Sequence, residues 1–162
     1  METVIIAVGS NLGDRLQAIR SAGDFLSRLS ETDIRKASVY ESEAIGNARF
    51  PFLNTAARIM TSLPPEELLF RLKEFEHSCG REKEPVRWGP RILDLDIIRY
   101  GNLRKKTLHL TLPHPEYFKR AFVLLPMLEI DTNWVDPELR MNLMQLQKAL
   151  PESEIEKTDH RW

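Results

Sequence analysis

Arg81-Glu82-Lys83-Glu84-Pro85-Val86-Arg87-Trp88-Gly89-Pro90-Arg91 runs straight into Ile92-Leu93-Asp94-Leu95-Asp96-Ile97-Ile98-Arg99-Tyr100, and the two halves obey different rules. The first half carries four basic residues, Arg81, Lys83, Arg87 and Arg91, among Gly80, Pro85, Gly89 and Pro90. Proline removes a backbone donor and glycine resists a helix, so this half is predicted as a mobile loop. In the second half, branched and apolar residues predict a strand over 91–100. Its two-residue period puts Asp94 and Asp96 on one face and Leu93, Leu95 and Ile97 on the other. One face is core; the other carries two acids.

Side chains at i and i+2 of a strand stand about 6–7 Å apart. Two carboxylates that close repel unless positive charge intervenes. Two Mg²⁺ ions, roughly 3.5–4 Å apart, fit between such a pair and clamp the oxygens of a phosphate chain. Arginine stays ionised and grips phosphate oxygens two at a time, so an Arg-rich loop suits a polyphosphate. From Asp-Leu-Asp alone, the solvated face of an ordinary strand is the commoner outcome. The basic loop with Trp88 feeding into the strand is what tips the balance.

Outward from this stretch the chain repeats one pattern. Thr3 to Val8 is a nearly continuous apolar run, expected as a central strand flanked on both faces. Gly9-Ser10-Asn11-Leu12-Gly13-Asp14 turns the chain without the spacing of a phosphate loop, and Leu16, Ile19, Ala22, Leu26 and Leu29 predict a helix over 14–29. A strand is expected over 34–40, then a connection over 41–51 with Gly46 and Pro51, then a strand over 53–62. Pro64-Pro65-Glu66-Glu67 opens a helix reaching Cys79, with proline early and acids in the first turn. The order β-α-β, β-α-β predicts an α/β (α+β) fold. It is a ferredoxin-like sandwich with a mainly antiparallel sheet, helices on one face and extra C-terminal elements. After Tyr100, Gly101-Asn102 is expected as a hairpin turn, Thr107 to Leu112 as a strand, and Asp136-Pro137-Glu138 as the start of a helix to about Leu150. The polar end from Pro151 is expected to cover the sheet.

A chain of 162 residues fits one domain, 1–162, burying about 70% of its unfolded surface. Basic and acidic residues nearly cancel, 23 against 24, which argues against nucleic acid or an anionic membrane as partner and makes any phosphate recognition local. No apolar run has the length of a membrane span, there is no charged-then-apolar leader, and the single cysteine, Cys79, suits a reducing compartment, so a cytoplasmic protein is expected, with a monomer taken as its working form.

Arg87-Trp88-Gly89-Pro90-Arg91-Ile92-Leu93-Asp94-Leu95-Asp96-Ile97 resembles the characteristic run of the 6-hydroxymethyl-7,8-dihydropterin pyrophosphokinases of folate biosynthesis. The resemblance is residue-specific from about Val4 to Phe122. It implies a magnesium-dependent transferase moving pyrophosphate from ATP to the hydroxymethyl group of a pterin, with AMP as the other product. By the same resemblance Asp94 and Asp96 hold both metal ions and Arg81 and Arg91 are catalytic. The pterin lies among Asn11, Glu43, Ala44, Ile45, Phe52, Asn54 and Phe122. The two Phe stack on its faces and Asn54 pairs with its polar edge, as a flat ring with donors and acceptors requires. ATP meets Glu76, Lys83, Arg87, Trp88, Ile97, His114 and Arg120, and the loop from Arg81 to Arg91 closes as a lid. Two departures stand out: Lys83 where many relatives have an arginine, and Pro115 after His114 where some have an aromatic. A non-catalytic binding module and a two-metal enzyme acting on nucleic acid are the rival readings. The first leaves the paired acids unexplained; the second lacks a broad basic surface.

Overall fold

The computed structural model describes residues 1–42, 51–80 and 92–162. Its centre is a long antiparallel pair, β1 (Glu2–Ser10) and β4 (Phe52–Thr61), in register from Glu2 opposite Thr61 to Ser10 opposite Leu53. β5 (Asp94–Tyr100) pairs with the other edge of β1. Beyond β4 lie β2 (Arg35–Lys36) and β3 (Tyr40–Ser42), and β8 (Ile155–Lys157) extends the sheet past β3. The path β5-β1-β4-β3-β8 is antiparallel throughout. Its first four strands have the order expected of two interleaved β-α-β units.

Alternation along β1 divides the interior in two. Val4, Ile6 and Val8 point to one core with Leu95 and Ile97. There α1 (Arg15–Leu29) contributes Ile19, Ala22 and Leu26, and α2 (Pro65–Ser78) contributes Leu68 and Leu72. Phe25 stacks on Phe75 between these helices, centroids 4.2 Å apart. Asp14 caps α1 by accepting from Gln17 N, at the position the sequence predicts. The opposite face holds Ile5, Ala56 and Ile98 against α3 (Ala121–Ile130) and α4 (Leu143–Lys148).

Helices therefore cover both faces, where the β-α-β pattern predicts one. The sequence does not announce α3 because Ala121 to Ile130 is apolar on nearly every side and contains Pro126, so no amphipathic stripe marks it. The helix expected from Asp136 is confined to Leu143–Lys148. Asp136 instead closes a turn, accepting from Glu138 N and Leu139 N, and Asn142 caps the helix in a capping box with Gln145. The strand expected over 34–40 is broken into β2 and β3, between which Ser38 bonds Glu129 of α3 through both its N–H and its hydroxyl. Gly101 does turn the chain, at φ 54°, but the hairpin ladder lies further on, between β6 (Lys105–Lys106) and β7 (Thr111–Leu112). The C-terminal segment adds a strand to the sheet edge, and Trp162 Nε1 donates to Ala37 O at 2.8 Å.

Candidate active site

Strand register builds the floor of the site. Gly9 faces Asn54 on one side and Asp94 on the other, and Asn54 faces Tyr40 in turn, so one row crosses four strands as Asp94, Gly9, Asn54, Tyr40. The next row of that face is Asp96, Ala7, Ala56. Between the acids and Asn54 nothing is larger than Gly9 and Ala7, a gap of about 10 Å at two strand spacings. Gly9 fits closely there: a β-carbon on it would lie 3.1 Å from Asn54 Oδ1, tighter than ordinary contact, so a larger residue would have to push the Asn54 amide aside. Asn54 is itself buried and held, its Nδ2 donating to Ser42 Oγ at 3.1 Å. Phe52 lies two residues before Asn54 on the same face, and Phe122 reaches that face from the first turn of α3.

Asp94 and Asp96 point away from Leu93, Leu95 and Ile97, which are buried in the first core as the two-residue period predicts. Asp96 has 34% of its side chain exposed. Loss of hydration, then the Asp94 charge, lifts its pKa from 3.8 to about 6, against the pull of Lys73. β5 is an edge strand, and α2 satisfies its outer backbone groups with side chains. Leu95 N donates to Glu76 Oε1 at 2.6 Å, and Lys73 Nζ donates to Leu95 O at 2.9 Å. Lys73 also lies 3.0 Å from Glu76 and 3.8 Å from Asp96. Glu76, a helix acid that would ordinarily be solvated, is fully buried by this arrangement.

His114 N donates to Ile98 O at 2.8 Å, anchoring the Pro113-His114-Pro115 segment to the same edge. The ring Nδ1 accepts from Glu116 N at 3.0 Å, which assigns the proton of the neutral ring to Nε2. Burial, then the neighbouring Arg120 guanidinium, lowers the His114 pKa to about 4. Arg120, whose charge also acts on Asp96, lies with Cζ 5.9 Å from the Phe122 ring centroid. Two clefts adjoin these groups. One of about 260 Å³ is bounded by Lys73, Asp96, Ile97, Leu110 and His114, the other of about 370 Å³ by Ser42, Arg120, Phe122 and Ile155.

The fold thus gathers Phe52, Asn54, Glu76, Asp94, Asp96, Ile97, His114, Arg120 and Phe122 from separate elements. Asn11 is buried just past the end of β1. Glu43, Ala44, Ile45, Arg81, Lys83, Arg87, Trp88 and Arg91 lie outside the described residues. Lys73 is the residue that sequence reasoning missed. Its signal is present: a cation one turn before Glu76, beside the apolar stripe of Leu68 and Leu72. Among the described residues no group of three or more His, Cys, Asp or Glu side chains is placed to hold a metal ion together. No helix among them is long and apolar enough to cross a membrane.

The family model described as 7,8-dihydro-6-hydroxymethylpterin-pyrophosphokinase matches residues 5–132, which hold both acids and the whole floor. The chain belongs to this family. Among curated pyrophosphokinases it is 40% identical over 146 residues to the 2-amino-4-hydroxy-6-hydroxymethyldihydropteridine pyrophosphokinase of Aquifex aeolicus, covering 90% of each chain. It is 42% identical over 127 residues to the protein of that name from Bacillus subtilis, covering 77% of this chain and 75% of that one. The pyrophosphokinase fold is matched in a Plasmodium falciparum HPPK-DHPS chain solved with pteroate, with TM-score 0.68 at 13% identity. That match covers 91% of this chain but 42% of the longer one, so this chain spans less than half of it.

Proposed function

We propose that the protein transfers pyrophosphate from ATP to the hydroxymethyl group of 6-hydroxymethyl-7,8-dihydropterin, releasing AMP, as a step of folate synthesis. The observation that carries this assignment is the row Asp94, Gly9, Asn54. It offers a flat, small-residue floor about 10 Å long with a donor–acceptor amide at one end and paired acids at the other. A bicyclic ring laid on it meets Asn54 with its polar edge, lies beside Phe52 and Phe122, and extends its alcohol toward Asp94 and Asp96. The hydroxyl oxygen attacks the β-phosphorus in line and gives up its proton to solvent, the bond from that phosphorus to the oxygen bridging it to the α-phosphorus breaks, and AMP leaves with the bonding pair.

Two acids on one strand, each raising the other's need for positive charge, are a donor set that suits Mg²⁺, which keeps water and substrate phosphate oxygens in the rest of its shell. Asp94 and Asp96 would hold two such ions, which when bound neutralise phosphate charge and acidify the attacking alcohol. His114 offers a donor from Nε2 and Arg120 a guanidinium toward the nucleotide side, where Glu76 and Ile97 also lie. Lys73 keeps the acid pair partly neutralised. Arg81, Lys83, Arg87, Trp88 and Arg91 complete the charge and cover of the transferring group, and Glu43 to Ile45 and Asn11 the wall around the pterin. Residues 1–162 act as one pyrophosphokinase domain, and a reducing compartment such as the cytoplasm suits its lone Cys79.

The deciding assay is AMP formation from ATP and Mg²⁺ with and without 6-hydroxymethyl-7,8-dihydropterin, with ³¹P NMR of the pterin product. Pterin-dependent AMP and a diphosphorylated pterin are expected. ADP would place attack at the γ-phosphorus and overturn the assignment.

A further inference from the structure

A second row of side chains crosses the same sheet face near its opposite end. Arg99, Ile5, Arg58 and Arg35 stand in register on β5, β1, β4 and β2. The β-bulge that shifts β5 between Ile97 and Arg99 turns Arg99 to this face. Arg99 is fully engaged: its Nε and Nη2 donate to the two oxygens of Asp131 at 2.7 and 2.6 Å, and Trp134 lies against its guanidinium at 5.2 Å. Arg35 and Arg58 are not. They are directly opposite on neighbouring strands, where β-carbons stand about 4.5–5.5 Å apart and like charges destabilise the pair. Among the described residues neither has an ion-pair partner.

These arginines open into a cleft of about 520 Å³ between the sheet and the chain that follows α3. That size suits a small ligand. Both carboxylates on its walls are already committed. Asp131 belongs to Arg99, and Glu129 accepts from Ser38 N, Ser38 Oγ and Tyr40 Oη and pairs with Lys157 at 4.0 Å. Asn102 gives its carbonyl oxygen to Trp134 Nε1, which leaves its amide N–H groups as donors, and Thr132 adds a hydroxyl. Among the described residues the cleft thus offers two guanidinium forks without an ion-pair partner and several neutral donors, against one carboxylate beyond the Arg99 pair, Glu129, whose oxygens Ser38 and Tyr40 already occupy. Arg58 lies four positions beyond Asn54 on β4, about 13 Å along the strand, so a ligand here does not occupy the floor of the acid site.

We propose that this cleft is a second anion site, which takes a phosphate group between Arg35 and Arg58. Guanidinium pairs bind phosphate oxygens in parallel forks, and a dianion between them removes the repulsion that the apo pair carries. The phosphate is either the free ion or the terminus of a small monoester. The test is an NMR titration of the metal-free, full-length protein with inorganic phosphate and, separately, ribose 5-phosphate, with chloride matching the ionic strength. Saturable shifts are expected at the amides of Arg35, Arg58 and Thr132 and at the Trp134 indole. Arg35→Gln and Arg58→Gln should each weaken that response at least tenfold. Both variants should form AMP at the wild-type rate, and phosphate should raise the Tm of wild type but not of the double variant. Tighter saturation by ribose 5-phosphate assigns the site to a monoester, and equal saturation to free phosphate. Shifts that rise linearly, that chloride reproduces, or that survive in both variants overturn the proposal.

Discussion

Replacing Asp96 by Asn should make the metal-free protein more stable near neutral pH while abolishing turnover. Its carboxyl is lifted from 3.8 to about 6 because the ionised form loses hydration and faces the Asp94 charge. At 1.36 kcal/mol per factor of ten, that displacement sets a ceiling of about 3 kcal/mol against the charged form. A third of the side chain meets solvent, and the substitution also gives up the attraction of Lys73 at 3.8 Å, so a net gain of about 1–2 kcal/mol is expected. In a protein of this size that corresponds to a Tm rise of about 3–6 °C. The sign with pH is fixed by linkage. The folded pKa is raised, so the folded state holds its proton after the unfolded chain has lost it, and wild-type stability falls as pH rises from 3.8 through about 6. The amide of the Asp96→Asn variant does not titrate, so the variant's advantage should grow across that window and then stay level to pH 8. Urea denaturation in EDTA at pH 4 to 8 reads this directly. A variant less stable than wild type at pH 8, or a gap that ignores pH, refutes the electrostatic reasoning.

Asp94→Ala should retain the fold and lose pterin-dependent AMP formation by about a thousandfold or more, the scale of several kcal/mol of lost charge stabilisation; circular dichroism with the AMP assay checks both halves. His114 titrates near 4 when folded against 6.5 unfolded, so its contribution is intact above pH 6.5 and is lost as pH falls toward 4. Wild type should therefore lose up to about 3 kcal/mol relative to His114→Gln over that window, seen in paired denaturation curves. Asp131→Ala leaves the Arg99 guanidinium buried without its carboxylate and should cost about 3–5 kcal/mol, whereas the double change Arg99→Met with Asp131→Leu should recover much of it.

Stability against acid is consequently a balance of two neighbours. Between pH 4 and 6 the His114 proton favours the unfolded chain and the Asp96 proton the folded one. The wild-type profile should be flatter than either single variant's.

Sequence by itself determined what strand periodicity and local chemistry can determine. Leu93, Leu95 and Ile97 had to turn inward together, which put Asp94 and Asp96 on the other face, and Asp14 and Pro65 had to start helices where they do. The long run Arg87 to Ile97 pointed to the family. Only the tertiary structure decided what lies opposite what. Gly9 looks like a turn residue until register sets it between Asp94 and Asn54, and Glu76 looks like a surface acid until the edge of β5 takes its carboxylate. The helix Ala121–Ile130 was illegible because burial on most sides erases the amphipathic stripe by which helices are found, and β8 because three residues of a polar tail become a strand only when β3 offers an edge. Periodicity is a property of neighbours along the chain. Rows across a sheet join residues far apart in the chain, Gly9 with Asn54 45 positions on and with Asp94 85 positions on, and their meaning exists only once register is set.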